Sequence, residues 1–170
     1  PSEIDHAQLV ELLHLLAEQN YRFTTITPLT HQRFLAKNIA PAKSLEDIFG
    51  WNMRFEMDAL PSPLRRLMID TGLAQPLNSR GGSATLQNPQ WKSAVRVSSL
   101  GDDVLLHSAF PTSSADAVFF GPDTYRFARF IHQTLRHAKV ADCRSGNRAL
   151  RVLDIGCGSG AGALAVARSL

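Results

Sequence analysis

The sequence predicts a mixed α+β chain. A helical, winged-helix-like region carrying a β-hairpin is followed by the first β-α unit of a Rossmann-like α/β core. Three features of the 170 residues point there. Through the first half, apolar residues recur at three- and four-residue spacing. The period then changes to alternation over "AVRVSSLGDDVLLHSAF", two β-rich runs around Gly101-Asp102-Asp103, which reads as a hairpin. Finally, "RVLDIGCGSGAGALAVARSL", from Arg151 to Leu170, has the order strand, glycine-rich turn, helix.

The helices follow from their ends and stripes. Ser2 with Asp5 makes a capping-box-like start, Leu9, Leu12, Leu13 and Leu16 share one face, and Asn20 is a stop. Thr27-Pro28 supplies an N-cap and a first-turn proline to a second helix carrying Phe34 and Leu35 as far as about Asn38. Ser44 with Asp47 starts a short third helix ending at Gly50, and Ser62-Pro63 a fourth closed by Gly72. "QPLNSRGGSATLQNPQ", before the hairpin, is polar and rich in turn residues and reads as a loop. From Thr124 to Lys139 the helical period returns, with Phe127, Phe130, Ile131, Thr134, Leu135 and Ala138 in one stripe. "ADCRSGNRA" is a linker, Leu150 to Ile155 a short buried strand, and a helix of small residues begins near Gly162.

Composition narrows the class. A chain 44% hydrophobic and 19% charged is ordinary for a globular protein, and no apolar run approaches the roughly 18 residues of a membrane helix. No secretion signal is recognisable at the N-terminus. Cys143 and Cys157 make neither a disulfide framework nor a metal quartet, which fits a reducing cytoplasm. The six histidines show no metal-ligand spacing and read as surface or satisfied core residues; no metal is expected. The net charge of +3 is uneven: Arg126, Arg129, Arg136, Lys139, Arg144, Arg148 and Arg151 face a single acid, Asp142. Such a cluster serves nucleic acid or an acidic protein, or is a solvated helix face.

Three ligand chemistries compete for the glycine loop. A P-loop needs a lysine after its last glycine, and none follows. A dinucleotide fingerprint is satisfied by Gly156, Gly158 and Ala161, yet Asp154 stands two residues before the first glycine, where a carboxylate opposes a pyrophosphate. It suits a ligand with a cationic amino group instead. Cys157, between two glycines and without a nearby base in sequence, reads as a small loop residue.

"VLDIGCGSGAG" resembles motif I of class I S-adenosylmethionine-dependent methyltransferases, in which an acidic residue ends the first strand before G-x-G-x-G. The resemblance implies a loop that wraps the amino-acid and ribose portions of S-adenosyl-L-methionine, a cofactor with a sulfonium and an ammonium but no phosphate. A second stretch, "ADAVFFGPDTYRFARFI", has Asp123 as a helix N-cap candidate and is similar to the "PRPDTE"-like segment upstream of motif I in protein-glutamine methyltransferases acting on release factors. Pro122, Asp123 and Thr124 match; Gly121 stands for the arginine and Tyr125 for the glutamate. The cofactor-binding set implied is Asp154, Gly156, Gly158 and Gly160 with Asp123 and Thr124. The implied organisation is a substrate-recognition domain over 1–114, a cofactor-bordering segment and connecting helix over 115–149, and the start of the methyltransferase core over 150–170.

The group's catalytic N-P-P-Y motif is expected beyond residue 170. "NPQW", Asn88 to Trp91, departs from it at Gln90 and reads as a turn. The expected activity is methyl transfer to a planar nitrogen of a protein glutamine or a nucleobase. The alternative is a non-catalytic module binding nucleic acid or protein, with Arg65 and Arg66 on a recognition helix. The 170 residues alone are expected to be inactive and to bind the cofactor weakly, because a single parallel strand has both edges unpaired. Leu150 to Leu170 is then expected to pack on the Thr124–Lys139 helix or to self-associate with another copy.

Overall fold

Asp5 opens the first helix: its carboxylate accepts from the Ala7 N–H at 3.1 Å, satisfying a donor that a helix start leaves free. The computed structural model describes residues 5–77, 89–137 and 151–170, a mixed α+β fold with two small antiparallel sheets. Helix α1 (His6–Glu18) ends before Asn20, which takes a left-handed φ of 55°. Leu12 and Leu16 are buried, with Leu9 and Leu13 packed beside them. Helix α2 (Pro28–Lys37) is capped by the Thr27 hydroxyl. Ser44 and Asp47 cap one another: the Asp47 N–H donates to Ser44 Oγ at 3.2 Å, and the Asp47 carboxylate accepts from the N–H groups of Lys43 and Ser44. The element they start, Glu46–Gly50, is a π-helical turn. Helix α3 (Ser62–Asp70) is closed by Gly72 at φ 68°.

The expected loop over 75–90 is corrected at its ends. Strand β1 (Ala74–Pro76) pairs antiparallel with β2 (Trp91–Ser93), so Gln75 and Pro76 lie opposite Lys92 and Trp91. Their polar, turn-rich composition conceals a pairing that is set from elsewhere, since Trp91 also exchanges two backbone hydrogen bonds with Phe55, at 2.8 and 2.9 Å. Asn88 lies outside the described residues. The hairpin folds as expected, β3 (Val95–Leu100) against β4 (Asp103–Ser108), with Leu100 opposite Asp103 across the turn.

Side chains alternate across a strand, so the hairpin has two different faces. Val95, Val97, Val104 and Leu106 join the main core, built on Leu12, Leu16, Phe49, Phe55, Leu64 and Met68. On the other face Leu105 packs with Phe120 and Ala161 in a second, smaller cluster. That face also carries Arg96, only 4% exposed and opposite His107. No carboxylate pairs with Arg96 among the described residues. Its Nε donates to the Gly50 carbonyl at 2.8 Å, and its guanidinium lies 5.9 Å from the centre of the Phe23 ring. His31 completes the set. Its Nε2 is 2.8 Å from the Trp51 carbonyl, which can only accept, so Nε2 carries the proton and Nδ1 accepts from Arg96 at 3.3 Å.

Burial, then the Arg96 charge, lowers the His31 pKa from 6.5 to about 4 and the His107 pKa from 6.5 to about 3. The fold holds both imidazoles neutral, while the unfolded chain takes up their protons near pH 6.5. Stability from this source is therefore full above about pH 6.5 and is lost as pH falls toward 4. Denaturant titrations across that range should show falling stability, and His107→Asn should flatten the slope; a pH-independent midpoint contradicts the assignment. A Cβ at Gly50 would lie 2.2 Å from the Phe23 ring, itself packed edge-on against Trp51 at 5.2 Å. Gly50→Ala should cost roughly 3 kcal/mol by overpacking, readable as a lowered denaturation midpoint; an unchanged midpoint contradicts it.

Candidate functional site

The glycine loop takes its shape from backbone that only glycine adopts freely. Gly156, Gly158 and Gly160 have φ of 73°, 51° and 78°, each in the left-handed region. The Gly160 N–H donates to the Cys157 carbonyl at 2.7 Å and closes the turn, and helix α5 (Ala161–Ser169) follows. The expected strand before the loop is corrected. Residues 151–155 form no ladder, and Leu150 lies outside the described residues. A strand exists through its neighbour's hydrogen bonds, and no described strand runs beside this one. Its apolar side chains are on the surface instead: Leu153 is 82% and Ile155 86% exposed.

Asp154 turns its carboxylate to the start of α5, where Oδ2 accepts from the Ala163 N–H at 2.9 Å. A helix N-terminus attracts anions, and here the chain's own carboxylate occupies that position. The fit depends on Gly162, which the sequence marks only as the beginning of a helix. A Cβ there would stand 2.7 Å from Asp154 Oδ2 and 3.0 Å from the Phe127 ring. The signal for it was the run of small residues that lets α5 pack closely, with Ala161, Gly162 and Ala165 all buried.

Helix α4 (Pro122–His137) forms the adjoining wall. It begins one residue before the expected cap, so Asp123 belongs to the first turn and is exposed. Thr124 makes the end bonds: its N–H donates to the Gly121 carbonyl at 3.0 Å, and its hydroxyl accepts from the Gly121 N–H at 3.3 Å. Asp123 and Thr124 line one cleft, of about 270 Å³, together with Asp154, Gly156 and Gly158. Gly160 does not line it and sits at the N-terminus of α5. Cys157 is an exposed free thiol at its edge.

The aromatic stripe of α4 is corrected too. Phe127 is 50% and Phe130 62% exposed, while Ala128 is buried. The small-residue face of α5 packs closely on α4, with Gly162 against the Phe127 ring and Ser169 Oγ 2.5 Å from His132 Nδ1. Ala138 and the basic residues Lys139, Arg144 and Arg148 lie outside the described residues. Of the pair on α3, Arg65 is held by Asp58 at 3.0 Å and by the Leu60 carbonyl at 3.2 Å, while Arg66 is exposed. In "NPQW", the Gln90 amide donates to Glu56 at 3.2 Å. Among the described residues no helix is long and apolar enough to cross a membrane, and no group of three His, Cys, Asp or Glu could hold a metal ion.

No family model, no curated protein and no solved structure matches this chain. The geometry therefore carries the functional argument alone.

Gly162→Val should push the Asp154 carboxylate off the first turn of α5. Amide exchange over Ala163 to Ala165 should rise about tenfold or more while α1 keeps its protection. Unchanged exchange in α5 would show that the close approach is unimportant.

Proposed function

We propose that the chain belongs to an S-adenosylmethionine-dependent methyltransferase that acts on a planar nitrogen, of a protein glutamine or a nucleobase. The reading is supported by one observation above all: a carboxylate, Asp154, occupies the helix N-terminus beside a loop of three left-handed glycines. A pyrophosphate would meet negative charge at the position it needs. A ligand with an ammonium and hydroxyl groups would find carboxylates at Asp154 and Asp123, the Thr124 hydroxyl and unobstructed backbone at Gly156 and Gly158. Gly160 would serve the same site indirectly, by setting the start of α5.

The cofactor would supply an electrophilic methyl group. The chain's own residues would hold and orient it: Asp154 and Asp123 by charge, the glycines by admitting close approach. Helical residues of 1–114 would form the recognition domain, and 115–149 the border of the cofactor site.

The cleft is open and slightly smaller than the roughly 300 Å³ at which ligand pockets begin, and Ile155 beside it is 86% exposed. Affinity for S-adenosylmethionine should accordingly be weak, with a Kd of about 0.1–1 mM. Calorimetric titration of the 170-residue chain with S-adenosylmethionine and with NAD checks the reading. Asp154→Asn, which keeps an acceptor for the Ala163 N–H but removes the charge, should weaken the former about tenfold. Tighter binding of NAD, or full affinity in Asp154→Asn, would overturn it.

A further inference from the structure

The stretch that enters α4 is tied to the hairpin at three points, and the cleft residues Phe119, Asp123 and Thr124 stand between them. Val118 makes the first tie, at the end of β4. Its N–H donates to Ser108 Oγ at 2.9 Å, and its carbonyl accepts from the Ser108 N–H at 3.0 Å. Phe120 makes the second: it is 1% exposed and stacks on His107, with ring centres 5.3 Å apart. Tyr125 makes the third. Its ring meets Phe120 edge-on at 5.3 Å, and its hydroxyl accepts from the Thr25 N–H at 3.0 Å. Thr25 is buried, and its own hydroxyl bonds to Ser98, whose Oγ is 2.8 Å from His107 Nε2. A closed circuit thus joins the first turn of α4 to the hairpin and to the chain at residue 25.

Tyr125 stands where the release-factor enzymes' segment has a glutamate, and it does not line the cleft. It lines instead the groove between the hairpin tip, Leu100 to Asp103, and the α4 face bearing Arg129 and Arg136. The acids of that tip, Asp102 and Asp103, are paired with Arg22 and Arg168. Among the described residues no hydrogen bond links Asp123 or Thr124 to the glycine loop. The wall that they form is therefore held from behind. Removing the Tyr125 hydroxyl would leave the Thr25 N–H buried and unpaired, so the tie is costly to break.

We infer that Tyr125 is a positioning residue of the cofactor cleft. Its hydroxyl fixes the first turn of α4 to Thr25, and through that turn sets where Asp123 and Thr124 stand against the glycine loop. The ligand follows from the cofactor reading above; the tie itself is independent of it.

Tyr125→Phe removes the hydroxyl and keeps the ring, and circular dichroism should show it folded. In calorimetric titration its affinity for S-adenosylmethionine should fall about fivefold, the equivalent of one hydrogen bond. In an Asp123→Asn background the same change should cost about twofold at most, because a residue acting through Asp123 has little left to act on. Thr71→Val is the control. It deletes another buried hydroxyl, which donates to the Leu67 carbonyl at 2.7 Å at the end of α3. It should lower the denaturation midpoint comparably and leave cofactor affinity unchanged. Amide exchange supplies a measurement without ligand: the N–H groups of Thr25 and Thr124 should exchange about fivefold faster in Tyr125→Phe and at the wild-type rate in Thr71→Val. Wild-type affinity in Tyr125→Phe, additive losses with Asp123→Asn, or an equal loss in Thr71→Val would overturn the inference. A wild-type chain that binds no S-adenosylmethionine removes the cofactor reading. The tie is then decided by Thr124 exchange: faster in Tyr125→Phe supports it, and unchanged overturns it.

Discussion

A buried guanidinium with no carboxylate against it among the described residues is an expensive group, and the arrangement around Arg96 is the constraint on which the fold turns. Its charge is met by dipoles instead of an acid: the Gly50 carbonyl, the unprotonated Nδ1 of His31 and the face of Phe23. Each of those partners is itself fixed. Gly50 has no side chain because Phe23 fills the space, and the His31 tautomer is set by the Trp51 carbonyl. An unpaired buried polar group costs about 1–3 kcal/mol, so the several groups around Arg96 stand or fall together. Protonating either nearby imidazole would bury a second charge and set it beside the first, which is why the core demands them neutral.

The same residue sets the hairpin register. A slip of one residue exchanges the two faces of a strand. In β3 it would put Arg96 into the aliphatic core in place of Val95 and Val97, and in β4 it would turn Leu105 away from Phe120 and Ala161. With the register held, the hairpin becomes the partition on which the two halves of the molecule meet. The Thr25 N–H donates to the Tyr125 hydroxyl at 3.0 Å, and Ser98 and His107 bond across the hairpin at 2.8 Å. The position of α4, and so of Asp123 and Thr124 against the glycine loop, is therefore a consequence of polar packing far away in sequence.

What the sequence made legible was local. Thr27, the Ser44–Asp47 pair, Gly72, the hairpin and the left-handed glycines each act within a few residues of where they stand, and each does what its chemistry implies. What it concealed was set at long range. Gln75 and Pro76 are strand residues because Trp91 and Lys92 lie across from them, and no composition of residues 75–90 says so. Arg96, His31 and His107 meet across 65 or more positions or across a strand pair. The aromatic stripe of α4 marked the helix but not its burial: Phe127 and Phe130 stay half or more exposed beside the small residues of α5. Gly162 carried its signal in plain view, but its role needs the Asp154 carboxylate in place before it can be seen. For Arg151 to Ile155, apolar composition indicated burial, whereas a strand also needs a neighbour.

Helix α4 separates two concavities of opposite electrical character. Thr124 and Phe127 turn toward the cleft that Asp154 and Asp123 make negative; Arg129 and Arg136 turn toward the groove whose acids are already paired. Successive residues point about 100° apart around a helix, so this separation needs no more than the spacing of five side chains. Among the described residues the exposed arginines have no acidic partner, since the hairpin tip satisfies its own carboxylates with Arg22 and Arg168. The glycine loop is closed to an anion because Asp154 satisfies α5. In both places an intramolecular bond decides which charge remains for a ligand, and the two decisions are opposite. A cationic small molecule on one face of α4 and an anion on the other would then compete for no common group.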